Sequence, residues 1–237
     1  MTRWRHIAIT LFLSVSVLCF SQHTDRLLTQ AYLSEDMQVW GDYLATAEWD
    51  TACSSERERI LLYEYGYIPY LMDRKDTAEC RRCFRRYQRQ IDEQASQLTP
   101  AVYCAHRSAA HAYAYMLGEG GMKDALLSLR YARQAVQNDS LNALAWHLRA
   151  GVYFYAPRIA GGSKRKALDC YEQALQRAAA DSVASNQWLC PAAHLGIAQC
   201  YYAMRDYHNA LIHCRYIQQQ YPGFRYVNEQ FLPRLSH

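Results

Sequence analysis

The segment from Pro191 to Pro222, PAAHLGIAQCYYAMRDYHNALIHCRYIQQQYP, admits few folded solutions. Small side chains at Ala198 and Ala210 let two antiparallel helices approach closely. Tyr201 and Tyr207 fill the space between turns, Cys214 and Ile217 continue the apolar stripe, and Pro222 stops the second helix. The alternation returns upstream, where Trp146, Ala150 and Tyr153 repeat the first helix and Ala167, Tyr171 and Ala174 the second. An insertion between them, Tyr155 to Lys166, carries Pro157 and Gly161-Gly162 and falls where a turn belongs. Only 10 Gly and 6 Pro occur in 237 residues, too few turn formers for a β-sandwich, so almost no strand is expected. The 51% hydrophobic fraction is ample for a buried core.

These spacings resemble the tetratricopeptide repeat, a helix-turn-helix unit of about 34 residues. A third, looser unit runs from Pro100 to Ser140, with Thr99 as N-cap, a turn at Gly118 to Gly121, then Ala125, Leu129, Ala132 and Ala135. A fourth runs from Ser55 to about Ala95, with capping boxes at Ser55 to Glu58 and Asp76 to Glu79 and small residues at Gly66 and Ala78. It departs from the family pattern where Pro69 interrupts its first helix and Arg82 replaces an aromatic. The resemblance covers roughly residues 55 to 222 and implies an all-α solenoid of about four antiparallel helix pairs. Residues 22–54 and 223–237 become helical caps, which cover apolar faces that the ends of a stack otherwise expose.

Residues 1–21 read as a signal peptide. Arg3, Arg5 and His6 precede the apolar run Ile7 to Phe20, and Cys19-Phe20-Ser21 places small residues before a cleavage expected at Gln22. An exported protein, periplasmic or envelope-associated, is the expectation; a retained anchor and lipoprotein processing at Cys19 are alternatives, the latter disfavoured by Leu18. The apolar run is shorter than the ~20 residues that span a bilayer, and no later stretch is long enough, so no transmembrane segment is expected in the mature chain. The formal charge is only +4, and Arg3 and Arg5 supply two of those charges, which gives no argument for nucleic acid as a partner. Eight cysteines follow the leader, scattered along helical segments in no compact disulfide framework, and read mostly as buried small apolar side chains.

Several constellations could carry chemistry. In Cys80-Arg81-Arg82-Cys83 the 100° helical step puts Cys80, Cys83, Phe84, Tyr87 and Ile91 on one face and Arg81, Arg82, Arg85, Arg86 and Arg89 on the other. Both thiols therefore join the core stripe, and Asp76 caps the helix a turn too early for a redox pair. Zinc would need Cys80, Cys83, His111 and a fourth ligand that the sequence does not name, so neither metal nor cofactor is expected. The arginine stripe reads as a solvated face. Gly161-Gly162-Ser163-Lys164 could form an anion-binding nest, although Ser163 as an ordinary N-cap also accounts for it. No nucleophile elbow, zinc-protease motif or close carboxylate pair appears, so an enzyme is not expected.

What remains is the groove that first helices line in the resembled family. Carried over by position, it implicates Tyr63, Tyr67 and Tyr70 in the first unit, His147, Phe154 and Tyr155 in the third, and Leu195, Gln199 and Tyr202 in the fourth. The expected function is a non-catalytic scaffold holding a protein or peptide partner by aromatic anchors in an exported complex. The alternative is a helical-repeat subunit of a bacterial transport system that takes a small apolar ligand.

Overall fold

The computed structural model describes residues 23–180 and 188–235; the expected leader, with Cys19 and the cleavage before Gln22, lies outside the described residues. Every regular element among them is helical. Helix α1 spans residues 23–33 and α2 spans Gln38–Thr46. Four pairs follow: α3 (Ser54–Asp73) with α4 (Thr77–Glu93), α5 (Pro100–Met116) with α6 (Met122–Asn138), α7 (Ala143–Tyr155) with α8 (Lys164–Ala180), and α9 (Leu189–Ala203) with α10 (Tyr207–Gln220). A 3₁₀ turn, Arg158–Ala160, occupies the insertion, and a π-helical turn, Tyr226–Phe231, with a 3₁₀ turn, Leu232–Leu235, closes the chain. None of the described helices is long and apolar enough to cross a membrane.

The members of each pair pack on one another, and α3, α5, α7 and α9 lie in succession, each touching the next. The small residues do what close approach requires, since Ala150, Ala167, Ala198 and Ala210 are all fully buried. Local chemistry sets the helix starts. Thr99, Asn142 and Asp206 accept from the backbone N–H three residues on, and Asp76 accepts from Glu79. The expected box at Ser55 to Glu58 does not form, because α3 begins two residues earlier than that box requires, with Cys53 as its N-cap.

Helix α4 follows its wheel. Cys80, Cys83, Phe84, Tyr87 and Ile91 are buried, whereas Arg81, Arg82, Arg86 and Arg89 pair with Glu119, Glu79, Glu64 and Glu93. The Arg86 contact matters most to the interior, since Glu64 is fully buried at mid-helix in α3 and burial pushes its carboxyl up to about 7 despite the guanidinium.

Pro69 does not interrupt α3, which runs continuously past it. A helical proline removes one N–H and leaves the carbonyl four residues earlier without a donor. That carbonyl belongs to Tyr65, and the Tyr113 hydroxyl of α5 donates to it at 2.7 Å. One tyrosine thus satisfies the defect and ties the first two pairs together.

The caps were expected to sit at opposite ends of an open stack, yet they meet. Tyr32 of α1 packs its ring 5.4 Å from Phe224 and 5.7 Å from Trp188. Leu33 joins Ala198, Cys214, Ile217, Val227 and Phe231 in one apolar cluster. Gln230 donates to the Glu35 carboxylate across 195 residues of sequence. The N-terminal helices therefore bridge the first and last pairs.

Of the described cysteines, Cys53 is exposed, Cys190 is partly covered, the other six are buried, and none is in a disulfide. Burial pushes the Cys83 thiol up to about 12. Cys53 lies the other way, its thiol lowered by the Ser55 hydroxyl and by the backbone at the start of α3. Brief treatment of native protein with a maleimide is expected to label Cys53 first and to leave Cys80 and Cys83 unmodified until denaturant is added. Early labelling of Cys80 or Cys83, read by peptide mass mapping, would contradict their placement in the core.

Candidate functional site

The first helices of all four pairs wall a cavity of about 660 Å³. Four faces converge on it: Tyr65, Gly66, Pro69 and Tyr70 from α3; Ala109, Ala112, Tyr113 and Met116 from α5; His147, Leu148, Gly151 and Tyr155 from α7; and Ala192, Leu195, Gly196 and Gln199 from α9. These positions step by three and four residues along each helix, the spacing of a single helical face. Tyr32 of α1 and Trp188, Phe224 and Tyr226 from the last part of the chain close the remaining side. The meeting of the two caps thus adds a wall to the groove.

Rings dominate the walls. Tyr65 stacks on Tyr113 at 6.1 Å and 22°, while His147 stands edge-on to Tyr65 and to Tyr171. Gly66 and Gly196 make this crowding feasible. A Cβ on Gly66 would lie 2.6 Å from the Trp40 ring, and one on Gly196 2.5 Å from the Tyr171 ring. Burial raises the phenols of Tyr65, Tyr113 and Tyr171, so they remain protonated, and it pulls His147 down to about 4, so its imidazole is neutral at neutral pH. Tyr113, Ser128, His147, Tyr171 and Trp188 form a buried floor, whereas Pro69, Asp73, Met116 and Tyr155 lie exposed at the mouth.

Of the nine residues expected from the sequence, Tyr70, His147, Tyr155, Leu195 and Gln199 line this cavity. Tyr63, Tyr67, Phe154 and Tyr202 do not. Tyr63 is fully buried with its hydroxyl donating to the Asp25 carboxylate of α1 at 2.9 Å. Tyr67 is covered by α2, where its hydroxyl lies 2.6 Å from the point a Cβ on Gly41 would occupy. Phe154 turns toward the insertion, with the Lys164 ammonium 3.8 Å from its ring centre. Tyr202 packs on Tyr207 and on Phe231 of the C-terminal cap. The residues that sequence reasoning missed, Tyr65, Tyr113 and Trp188 above all, sit on faces whose direction depends on where the caps land; on α3 the groove face is shifted from the expected Tyr63 and Tyr67 to Tyr65 and Pro69.

The other constellations are spent within the fold. His111 pairs with Asp124 at 2.9 Å rather than facing Cys83. At the insertion the backbone N–H groups of Gly161, Gly162 and Ser163 donate to the carbonyls of Arg158, Pro157 and Tyr153, and the Ser163 hydroxyl accepts from the N–H of Lys166 as an N-cap. An anion would find those donors already occupied. Comparison with protein families, characterised proteins and solved structures finds no match to this chain.

Proposed function

We propose that this chain is a non-catalytic binding protein of tetratricopeptide type, exported by a leader cleaved before Gln22, and that it holds a small, largely apolar ligand in the cavity walled by α3, α5, α7 and α9. The observation that carries this reading is the concave, ring-rich lining. A volume of about 660 Å³, ringed by aromatic side chains and flanked by the meeting caps, lies within the roughly 300–1,000 Å³ range of small-molecule sites. The resemblance in spacing over residues 55 to 222 and the succession of first helices support the repeat assignment.

A second reading, a scaffold that holds a protein or peptide partner, draws on the exposed apolar side chains at the mouth, Tyr155 at 61% and Met116 at 46% exposure. Native mass spectrometry of the purified protein separates the two. A mass excess of a few hundred daltons that disappears on denaturation is expected; a stoichiometric protein partner with an empty cavity would favour the scaffold and overturn the small-ligand reading. Tyr155→Ala is expected to weaken ligand binding by roughly 1 to 3 kcal/mol while leaving the melting temperature nearly unchanged, because the side chain is an exposed ring at the mouth rather than core. Titration calorimetry beside thermal melting checks both halves.

A further inference from the structure

We propose that the cavity takes an uncharged, flat polycyclic compound bearing a carbonyl oxygen, which accepts a hydrogen bond from Nε2–H of His147. This deepens the small-ligand reading and rests on it.

The charge follows from the lining. Glu35 and Asp73 are its carboxylates, and no lysine or arginine is among the described lining residues. An anionic headgroup would thus leave water without a counterion and with like charge nearby, which is costly. A cation fares little better on the floor: Asp73 is exposed at the mouth, Glu35 already accepts from Gln230, and the buried residues between are uncharged.

The acceptor follows from the imidazole. His147 is 6% exposed and lines the cavity, and its Nδ1 is enclosed with no hydrogen-bond partner. An orphaned buried N–H is rarer and costlier than an orphaned acceptor lone pair, so the proton belongs on Nε2. With Nδ1 sealed, Nε2 is the nitrogen left to meet a ligand, and it presents a donor. Two further lining residues carry enclosed polar atoms without a partner, Trp188 at Nε1 and Ser128 at Oγ. Both atoms are as sealed as Nδ1, which leaves Nε2–H of His147 as a donor that a ligand oxygen can reach. The flat body follows from the ring geometry, because the stacked Tyr65 and Tyr113 and the edge-on His147 offer both faces and edges to an aromatic skeleton.

Matched fluorescent probes test this on the full chain stripped of any ligand it carries. N-phenylnaphthylamine is uncharged, and its sulfonated analogue, anilinonaphthalene sulfonate, adds only the anion. Dimethylaminonaphthalene and its propionyl ketone differ only in the acceptor. The sulfonate is expected to bind at least about tenfold more weakly than its uncharged parent, and the ketone about fivefold more tightly than its own parent. His147→Phe is expected to erase the ketone preference without changing the affinity for N-phenylnaphthylamine, while His147→Gln, which retains an N–H donor, keeps the preference. Equal binding of the sulfonate overturns the charge argument, and a ketone preference that survives His147→Phe overturns the donor. Should His147→Phe fail to fold, the sulfonate comparison and the Gln variant still decide. Probes that bind without discrimination overturn this inference alone, whereas uncharged probes that do not bind at all overturn the small-ligand reading with it.

Discussion

Acidifying the protein from pH 7 to pH 4 is expected to unfold it. His106 and His147 are enclosed, and burial pulls them down to about 3 and about 4; His194 and His213, 3.2 Å apart nitrogen to nitrogen, are each pulled down to about 4. In the unfolded chain all four titrate near 6.5. Above that value neither state binds the protons and the histidines leave stability unaffected. Below it the unfolded chain takes them up and the fold cannot, so each group removes about 1.4 kcal/mol per pH unit until its folded value is reached. Two enclosed histidines alone then cost on the order of 7 kcal/mol by pH 4, a large share of the ~5–15 kcal/mol that holds a typical domain together. The partly exposed His194 and His213 add a smaller amount. Glu64 works in the opposite direction: its raised carboxyl takes up a proton in the fold before it does so in the unfolded chain, which offsets about one histidine over the same range. Far-UV circular dichroism at successive pH values is expected to lose its helical signal between about pH 4 and 5, and His147→Phe to shift that midpoint downward. Full helicity at pH 3.5 in the unmodified protein would mean that the histidines are hydrated in solution and that the interior is looser than described.

Trp40→Ala is expected to be the most damaging single truncation, at about 3 to 5 kcal/mol in urea denaturation. The indole is fully buried, and its Nε1–H donates to the carbonyl of Leu28 at 2.7 Å. Its ring meets Tyr63 at 4.9 Å and Trp188 at 5.1 Å, both edge-on, and Tyr32 at 6.0 Å. Truncation leaves a cavity where α1, α2 and α3 converge with the start of α9, and it removes the indole's hydrogen bond to α1. A loss below about 1 kcal/mol would indicate that the cap rides on the surface rather than closing the stack. Hydrogen exchange in α1 should accelerate in the same variant, since the indole is what joins α2 to it.

How much of this was legible in the sequence depended on how local the cause was. The α4 stripe was readable because its arginines and apolar residues separate cleanly at 100° per residue, and the four helix pairs were readable because Ala198, Ala210 and their upstream counterparts mark where helices touch. On α7 and α9 the same register brought His147, Tyr155, Leu195 and Gln199 to the cavity but missed at Phe154 and Tyr202, which turn to Lys164 and Phe231. On α3 the register failed. Tyr63, Tyr65, Tyr67 and Tyr70 clothe that helix on several sides, and what decides which of them meets the cavity is the arrival of Asp25 beneath Tyr63 and of Gly41 beneath Tyr67, contacts made from elsewhere in the chain. Pro69 misled for a similar reason, because the hydroxyl that satisfies its freed carbonyl comes from Tyr113, 48 residues away from the acceptor. The closure by Tyr32, Trp188 and Phe224 left no periodic trace, since ring packing has no sequence spacing of its own.

The contact between Glu35 and Gln230 also sets a clock on the protein's birth. An open array of helix pairs can fold pair by pair as each leaves the ribosome, since every contact is with a neighbour. Here α1 appears first and its partners around Phe224 and Gln230 last, with 195 residues between. At ~5–20 residues per second, the first helix waits roughly 10 to 40 seconds with Leu33 and the Phe224-facing side of Tyr32 uncovered. The thermodynamic charge for closing so long a loop is modest, because it grows only with the logarithm of length. Delay is the larger burden: the nascent chain is most prone to aggregate in that interval, and removing the residues after Pro222 would make the interval permanent.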